Sequence, residues 1–466
     1  MRAHTTAPEF DPELIARHDV AGPRYTSYPT APQFHAGFDE TALRAAIESS
    51  NHAAVPRPLS LYVHVPFCFS PCFYCGCTRT ITRDPAHADI YLRYLQKELA
   101  LTAPKFDRDR PLRQLHMGGG TPNFLDMPRM RALFGSIAHH FNVNPDASRE
   151  YGIEIDPRYA DGAYIRELGA LGFNRVSVGI QDFDPVVQAA VNRIQSVEQT
   201  RELLEVARDS GFDSVSVDLI YGLPRQTLDG FDHTLDEVIA LSPDRVAVYG
   251  YAHLPSLFKA QRQIDGGELP DPSTRLALFG RALEKLCGAG YVYVGMDHFA
   301  RADDELVRAQ RAGTLQRNFQ GYSTHGDCDI IGLGVSSIGR IGNTYSQNAR
   351  DLPGYYAALD AGRMPLVRGI LLNEDDLIRR SLIGELMCHG ELCIPAFSAL
   401  HQLNFNDYFA AEIERLQRLA ADELVTLDED TIRVTARGRL LLRNIAMCFD
   451  AYLSIPSDTP RYSRTI

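Results

Sequence analysis

Three cysteines in the run CFSPCFYC, residues 68–75, stand at C-x3-C-x2-C spacing: Cys68, Cys72 and Cys75. They follow directly on an apolar, strand-like stretch, LSLYVHVPF. Thiolates are the ligands of iron–sulfur clusters, and a structural four-iron cluster takes four of them, one per iron. Three thiolates leave one iron without a protein ligand, and that iron is free to bind something else. The competing chemistry is a closed zinc knuckle that recruits the nearby Cys77. Zinc sites usually divide their ligands into two well-separated pairs, and no matching second pair occurs here.

The spacing resembles that of the radical S-adenosylmethionine (SAM) superfamily, in which the amino and carboxylate groups of SAM occupy the free iron. A second motif, Gly118-Gly119-Gly120-Thr121-Pro122, is not a phosphate-binding Walker loop, because no Gly-Lys-Ser/Thr follows it. Taken alone it is a tight strand-to-helix turn. Beside a SAM site, its backbone groups suit hydrogen bonds to the two ends of the methionine moiety.

These residues need a frame to hold them. From about residue 59 a unit repeats: a short β-rich run, a turn, then a helical pattern. Strands are expected at 59–65, 113–117, 151–155, 175–180, 214–220 and 245–249. Helices are expected from Asp84-Pro85 onward and at about 128–141, 160–171, 197–210 and 228–241. Such alternation implies an α/β fold with a parallel sheet and right-handed crossovers. Six units are too few for an eight-stranded barrel, so an incomplete (β/α)6 TIM-like barrel is expected, with a doubly wound sheet as the alternative. A further strand is expected at 291–299, then a Gly-rich irregular region at 318–342, and helix from Glu374. The last part reads helix (407–421), strand (425–427), strand (431–434), helix (436–449), an order resembling a winged helix. Its acidic AADELVTLDEDT run opposes DNA contact, which favours a packing or lid module. The expected division is an N-terminal segment 1–55, a barrel with extension 56–370, and a mostly helical C-terminal domain 371–466.

In a barrel of this kind, functional groups gather at the C-terminal ends of the strands. The cysteines follow the first strand and the triple glycine the second. Glu154 and Asp156 close the third, Gln181 and Asp182 follow the fourth, Asp218 ends the fifth, and Tyr251-Ala252-His253 follow the sixth. Period-two alternation turns Tyr62 and His64 to one face of the first strand and Leu61, Val63 and Val65 to the other. His64 is either a group beside the cluster or a satisfied core histidine. Tyr74 either lays its ring on an adenine or packs the loop.

The chain has 466 residues, 45% of them hydrophobic, enough for a large core. Of nine cysteines four crowd into residues 68–77, and the other five show no disulfide framework, which suggests a reducing compartment. No apolar h-region opens the sequence and no run approaches about 18 apolar residues, so a cytoplasmic protein without membrane contact is expected. The net charge of −12 opposes general nucleic-acid affinity. It permits an anionic small substrate, because screening over about 8 Å lets pocket charges outweigh distant ones.

Further stretches carry a fuller resemblance: PRYTSYPTAP (23–32), HMGGGTP (116–122), GIEIDPR (152–158), SVGIQDF (177–183), VNRIQ (191–195), VDLIYGLP (217–224), YGYAHLP (249–255), GMDHFA (295–300), RNFQGY (317–322) and VTARGRLLLRNIAMCFD (434–450). With the CGC that ends the cluster loop, they resemble the oxygen-independent coproporphyrinogen III oxidase (dehydrogenase) family across nearly the whole chain. Haem-chaperone relatives share the cluster motif but lack Cys77 and the RYTSYPT segment.

The resemblance implies a [4Fe-4S] cluster on Cys68, Cys72 and Cys75 and two SAM molecules. It implies oxidative decarboxylation of two propionates of coproporphyrinogen III to vinyl groups, through a 5′-deoxyadenosyl radical. The cluster-bound SAM would meet Tyr62, Glu154 and Ile338, and the second Tyr74, Gly119, Gln181, Arg193, Asp218 and Ala252, with Gly120 and Thr121 near both. Tyr62, His64 and Gln320 are the candidate catalytic residues, and the N-terminal segment would help close the site. An electron donor of flavodoxin or ferredoxin type, an unnamed electron acceptor and a monomeric state are implied as well. Arg24 and Arg317 are candidates for the substrate carboxylates, the alternative for each being a surface salt bridge. Cys77 is not expected to ligate the cluster.

Overall fold

The computed structural model describes residues 7–143 and 148–453, with 462 and 464. The outermost ends of the first and last expected segments therefore lie outside the described residues. Six parallel strands run β1 (Leu59–Val65), β2 (Pro111–Gly119), β3 (Glu150–Ile155), β4 (Arg175–Gln181), β5 (Ser214–Tyr221) and β6 (Arg245–Gly250). Between them lie α1 (Ala86–Thr102), α2 (Met127–His140), α3 (Gly162–Leu171), α4 (Val197–Asp209) and α5 (Leu228–Leu241). Local chemistry starts the last four: Asp126, Asp161, Ser196 and Thr227 each cap a helix by accepting a backbone N–H from the first turn.

Alternation divides each strand between two environments. Leu61, Val63, Leu115, Met117, Ile153, Val176, Val178, Val217 and Val246 are buried in one hydrophobic core with the helices. The opposite face carries Tyr62, His116, Glu154, Ser177, Asp218 and Tyr249, and it borders cavities. One face holds the sheet to its helices. The other is left for chemistry.

Two expectations for the middle of the chain give way. The stretch 291–299 is a hairpin, β7 (Tyr291–Gly295) and β8 (His298–Arg301), turning at Met296 with φ 56° and pairing antiparallel to β6. The Gly-rich 318–342 region is mostly sheet: β9 (Asp329–Leu333) pairs parallel with β1, and β10 (Ile338–Ile341), β11 (Thr344–Asn348) and β12 (Leu366–Leu371) extend it antiparallel. Its glycines reflect close approach of chains. A Cβ on Gly332 would meet the backbone of Ile338 at 2.8 Å. The sheet order is β7-β8-β6-β5-β4-β3-β2-β1-β9-β10-β11-β12.

The helix α6 (Pro272–Gly288) precedes β7, and α7 (Glu374–His389) opens the C-terminal part. There the expected 407–421 helix is two, Phe405–Tyr408 and Ala410–Ala421, separated by Phe409. The expected 436–449 helix is a 3-10 turn, Gly438–Leu441, followed by Leu442–Met447. A third strand, Glu391–Cys393, pairs with Thr431–Val434, which pairs in turn with Val425–Leu427. This part has its own core, joined by Tyr25 and Tyr28 from the N-terminal segment. The Tyr25 hydroxyl donates to Asp450 at 2.9 Å, and Arg443 donates to the carbonyl of Pro23 at 3.0 Å. Among the described residues no helix is long and apolar enough to cross a membrane.

Candidate active site

The cysteine loop leaves the end of β1 and is tied down from several sides. Arg79 donates to the carbonyls of Cys72 and Cys75 at 3.3 and 3.0 Å. Asn192 holds the Pro71 carbonyl at 2.7 Å, and Gln261 holds that of Tyr74 at 2.8 Å. The thiols of Cys68, Cys72 and Cys75 line a cavity of about 280 Å³. Donors point at the sulfurs: Thr121 Oγ1 at 3.3 Å from Cys68, Arg158 Nη2 and Arg193 Nη1 at 3.4 and 3.5 Å from Cys72, and the Cys77 N–H at 3.4 Å from Cys75.

That donor set fits an iron–sulfur cluster, whose sulfurs are stabilised by such hydrogen bonds. Among the described residues no group of three His, Cys, Asp or Glu is arranged to hold a single ion. Burial pushes the Cys68 thiol up to about 11, while the hydrogen bond from Cys77 brings Cys75 down to about 6. Cys77 thus touches the loop through Cys75.

The triple glycine makes room. A Cβ on Gly118 would meet Glu154 Oε1 at 2.8 Å, one on Gly119 the His64 ring at 2.5 Å, and one on Gly120 the Phe67 carbonyl at 2.8 Å. Gly119 also has φ +115°, a conformation that disfavours any side chain. The Gly119 N–H donates to Glu154 at 3.3 Å and the Gly120 N–H to the Val65 carbonyl at 2.8 Å. Those two N–H groups are engaged within the protein, and these two residues also add space.

Around the same cavity, Arg193 is buried. It pairs with Asp156 at 3.1 Å and donates to the Gly179 carbonyl at 2.6 Å, while its Nε has no partner. Arg158 completes the cluster, 2.7 Å from Asp156. Gln181 lines the cavity with φ 70°. Asp182, its neighbour, turns away to bind Thr234 and Gln226 at 2.6 Å each. Burial, with the nearby Glu154 charge, pushes the Asp218 carboxyl up to about 7. Ala252 is linked to Tyr74 through Gln261, which donates to both carbonyls.

A larger cavity of about 530 Å³ adjoins, bordered by Tyr62, His64, Glu154, Gln320 and Ile338. His64 Nε2 lies 3.0 Å from the Thr78 carbonyl, which can only accept, so Nε2 carries the proton. Burial lowers the pKa of His64 and favours the neutral ring. Nδ1 therefore accepts from the Tyr62 hydroxyl at 3.1 Å, and His64 orients Tyr62. Between the two readings of His64, the ring is a satisfied histidine that also borders the site.

Several residues of this wall escaped the sequence reading. His116 pairs in register with Tyr62, stacks on it at 6.0 Å between centroids, and lies 3.2 Å from Glu154. Burial raises the Glu154 carboxyl, but its hydrogen bond to His116, that ring's charge and the Gly119 N–H outweigh burial and hold it below the ordinary value. Its side chain is 46% exposed, and the space it faces is the cavity. His298, Tyr249, Arg350 and Arg368 line the same space. Alternation along β2 would have found His116; nothing local flags the other four.

The sequence profile of the Radical SAM superfamily matches residues 62–238, and that of the HemN C-terminal domain matches residues 372–441. The oxygen-independent coproporphyrinogen III oxidase of Pseudomonas aeruginosa is 50% identical over 458 residues, covering 98% of this chain and 99% of that protein. The Escherichia coli K12 protein of the same name is 47% identical over 459 residues, again covering 98% and 99%. The solved structure of coproporphyrinogen III oxidase (HemN) from Escherichia coli, described as a radical SAM enzyme, superposes with a TM-score of 0.91 at 46% identity, covering 96% of this chain and all of that one. With thiols, glycines and carboxylates set around one pair of cavities, and with likeness from end to end, the chain belongs to the oxygen-independent coproporphyrinogen III oxidase family.

Proposed function

We propose that this chain decarboxylates two propionate side chains of coproporphyrinogen III to vinyl groups, giving protoporphyrinogen IX in anaerobic haem synthesis. The observation that carries this reading is a shared wall: Glu154 and Tyr249 border both the thiol cavity and the larger, arginine-lined cavity. Glu154 and Tyr249 would thus face both a cofactor held beside the thiols and a substrate held beside the arginines. Bound there, the cluster and SAM supply one-electron cleavage of the sulfonium and the hydrogen abstraction that precedes loss of CO2.

The chain's part is positioning. Glu154, kept ionised, suits the ammonium of the cluster-bound SAM, with Tyr62 and Ile338 beside it. Tyr74, Gly119, Gln181, Arg193, Asp218 and Ala252 are proposed to hold the second SAM, with Gly120 and Thr121 near both. Support for this comes from the cavities, which these residues line with the exception of Ala252. Gln320 is proposed on the substrate side, and His64 acts through Tyr62. Cys68, Cys72 and Cys75 are the proposed cluster ligands.

Parallel strands with helical crossovers support an incomplete (β/α)6 barrel at about 56–370, and the small three-stranded sheet among helices supports a winged-helix-like domain at 371–466. The segment 1–55 is proposed to close the site, since Arg24 and Thr26 border the larger cavity. A flavodoxin- or ferredoxin-type donor, a separate electron acceptor, a monomeric state and a cytoplasmic location complete the reading. The test is turnover: anaerobically reconstituted protein with SAM, a reductant, an electron acceptor and coproporphyrinogen III should yield protoporphyrinogen IX. No product from fully loaded protein would overturn it.

A further inference from the structure

The larger cavity concentrates positive charge in a chain whose net charge is −12. Arg24, Arg317, Arg350 and Arg368 all border it, against Glu154 on the wall and Asp297 beside Arg24. They fall into two pairs. Burial, then the charge of Arg317, weakens the charged form of Arg24, and burial, then Arg350, does the same to Arg368.

In the first pair Arg24 is ion-paired to Asp297 and Arg317 is left unsatisfied. Arg317 sits in the hairpin formed by Gln316–Asn318 and Gly321–Ser323, its guanidinium 4.8 Å over the Tyr322 ring. Among the described residues, its Nε and Nη1 are buried without a hydrogen-bond partner, as are Nε2 of Gln320 and Nδ1 of His298 on the same wall. Buried donors are normally satisfied, and leaving one unmade is costly. Burial, with Arg317 and Arg24 nearby, drives the His298 pKa down to about 3, so the ring adds no charge of its own. The second pair stands on other elements, at the edge of the large sheet. Arg350 follows β11, and Arg368 on β12 donates to Gln347 Oε1 at 2.7 Å. Neither forms an ion pair among the described residues.

Two like-charged pairs at separate places on one cavity call for an occupant with at least two carboxylates set well apart. Resting on the function proposed above, we propose that Arg24–Arg317 and Arg350–Arg368 are carboxylate subsites for two propionates of the macrocycle. These anchors determine which remaining propionate faces the Tyr62–His116–Glu154 wall. Arg317 and Arg368 are thus specificity-determining residues, and planar guanidinium groups are the fit for carboxylates.

The probe is coproporphyrin III, the oxidised macrocycle that keeps all four propionates, titrated by fluorescence into the cluster-loaded protein beside its tetramethyl ester. Arg317→Gln and Arg368→Gln should each weaken binding of the acid about 10- to 100-fold, the loss expected for one charge-assisted contact. Neither should change binding of the ester, and Arg317→Lys should recover part of the affinity. Circular dichroism matched to the unsubstituted protein identifies a folded variant, and either variant alone suffices. Unchanged affinity for the acid in both variants, or equal losses for acid and ester, overturns the subsites. Turnover of coproporphyrinogen III by the unsubstituted protein tests the function separately, so either claim can fail without the other.

Discussion

His116 Nε2 lies 3.2 Å from Oε1 of Glu154, while the same imidazole stacks on Tyr62. One side chain thereby fixes both a carboxylate and a phenol at the junction of the two cavities. His116→Ala removes the group that favours ionised Glu154. The Glu154 pKa should rise, so the acid limb of the kcat/KM profile for SAM moves to higher pH. Turnover should fall at least about tenfold, the loss of one charge-assisted hydrogen bond. An unmoved acid limb in an otherwise impaired variant would separate His116 from Glu154.

Cys68→Ser should abolish SAM cleavage and the brown cluster absorbance while the far-ultraviolet circular dichroism is retained. Cys68 lies in a two-residue strand, Phe67–Cys68, beyond the end of β1, and is not part of the hydrophobic core under β1. Full activity in this variant would rule out Cys68 as a ligand.

Gly119→Ala brings a methyl group to 2.5 Å from the His64 ring at φ +115°. Backbone strain of this kind costs about 1–3 kcal/mol, and the displaced His64 would release Tyr62. The expected outcome is a lower melting temperature together with weaker SAM binding by equilibrium dialysis. Gly135, on α2 with open space around it, is the comparison: Gly135→Ala should raise stability slightly.

Glu98 on α1 is buried and accepts from the Tyr355 hydroxyl, the Gly334 N–H and Asn348 at 2.6–2.7 Å. Burial pushes its carboxyl from 4.5 up to about 7 in spite of these donors. The folded state thus holds a proton that the unfolded chain loses near pH 4.5. Stability contributed by protonated Glu98 is full below that pH and is lost as pH rises to about 7, by at most about 3 kcal/mol. Glu98→Gln should be less stable at pH 5, since its amide faces Asn348, but the deficit should shrink by pH 8. Melting curves at the two pH values check this, and a constant deficit would refute it.

What could be read from the sequence was local. Cys68, Cys72 and Cys75 are seven residues apart at most, and their spacing alone specifies a three-cornered ligand set. The six parallel strands announced themselves through β-branched alternation and capped helices, and Glu154 and Asp218 followed from their place at strand ends. β9 was missed because glycines needed for close chain approach also signal loops. Arg350, Arg368 and His298 were missed for a different reason. Each is unremarkable in its own segment, and only the sheet order brings β8, β11 and β12 to the cavity of Tyr62. The N–H groups of Gly119 and Gly120 are likewise claimed by Glu154 and Val65 from other strands, which no local pattern foretells.

The clasp between Tyr25 and Asp450 joins residues 425 positions apart. During synthesis Arg24 emerges long before the partners that pin its segment. Closing so long a loop is entropically costly and awaits the C-terminal core. A nascent chain can therefore carry an intact cysteine loop while the larger cavity still lacks a wall.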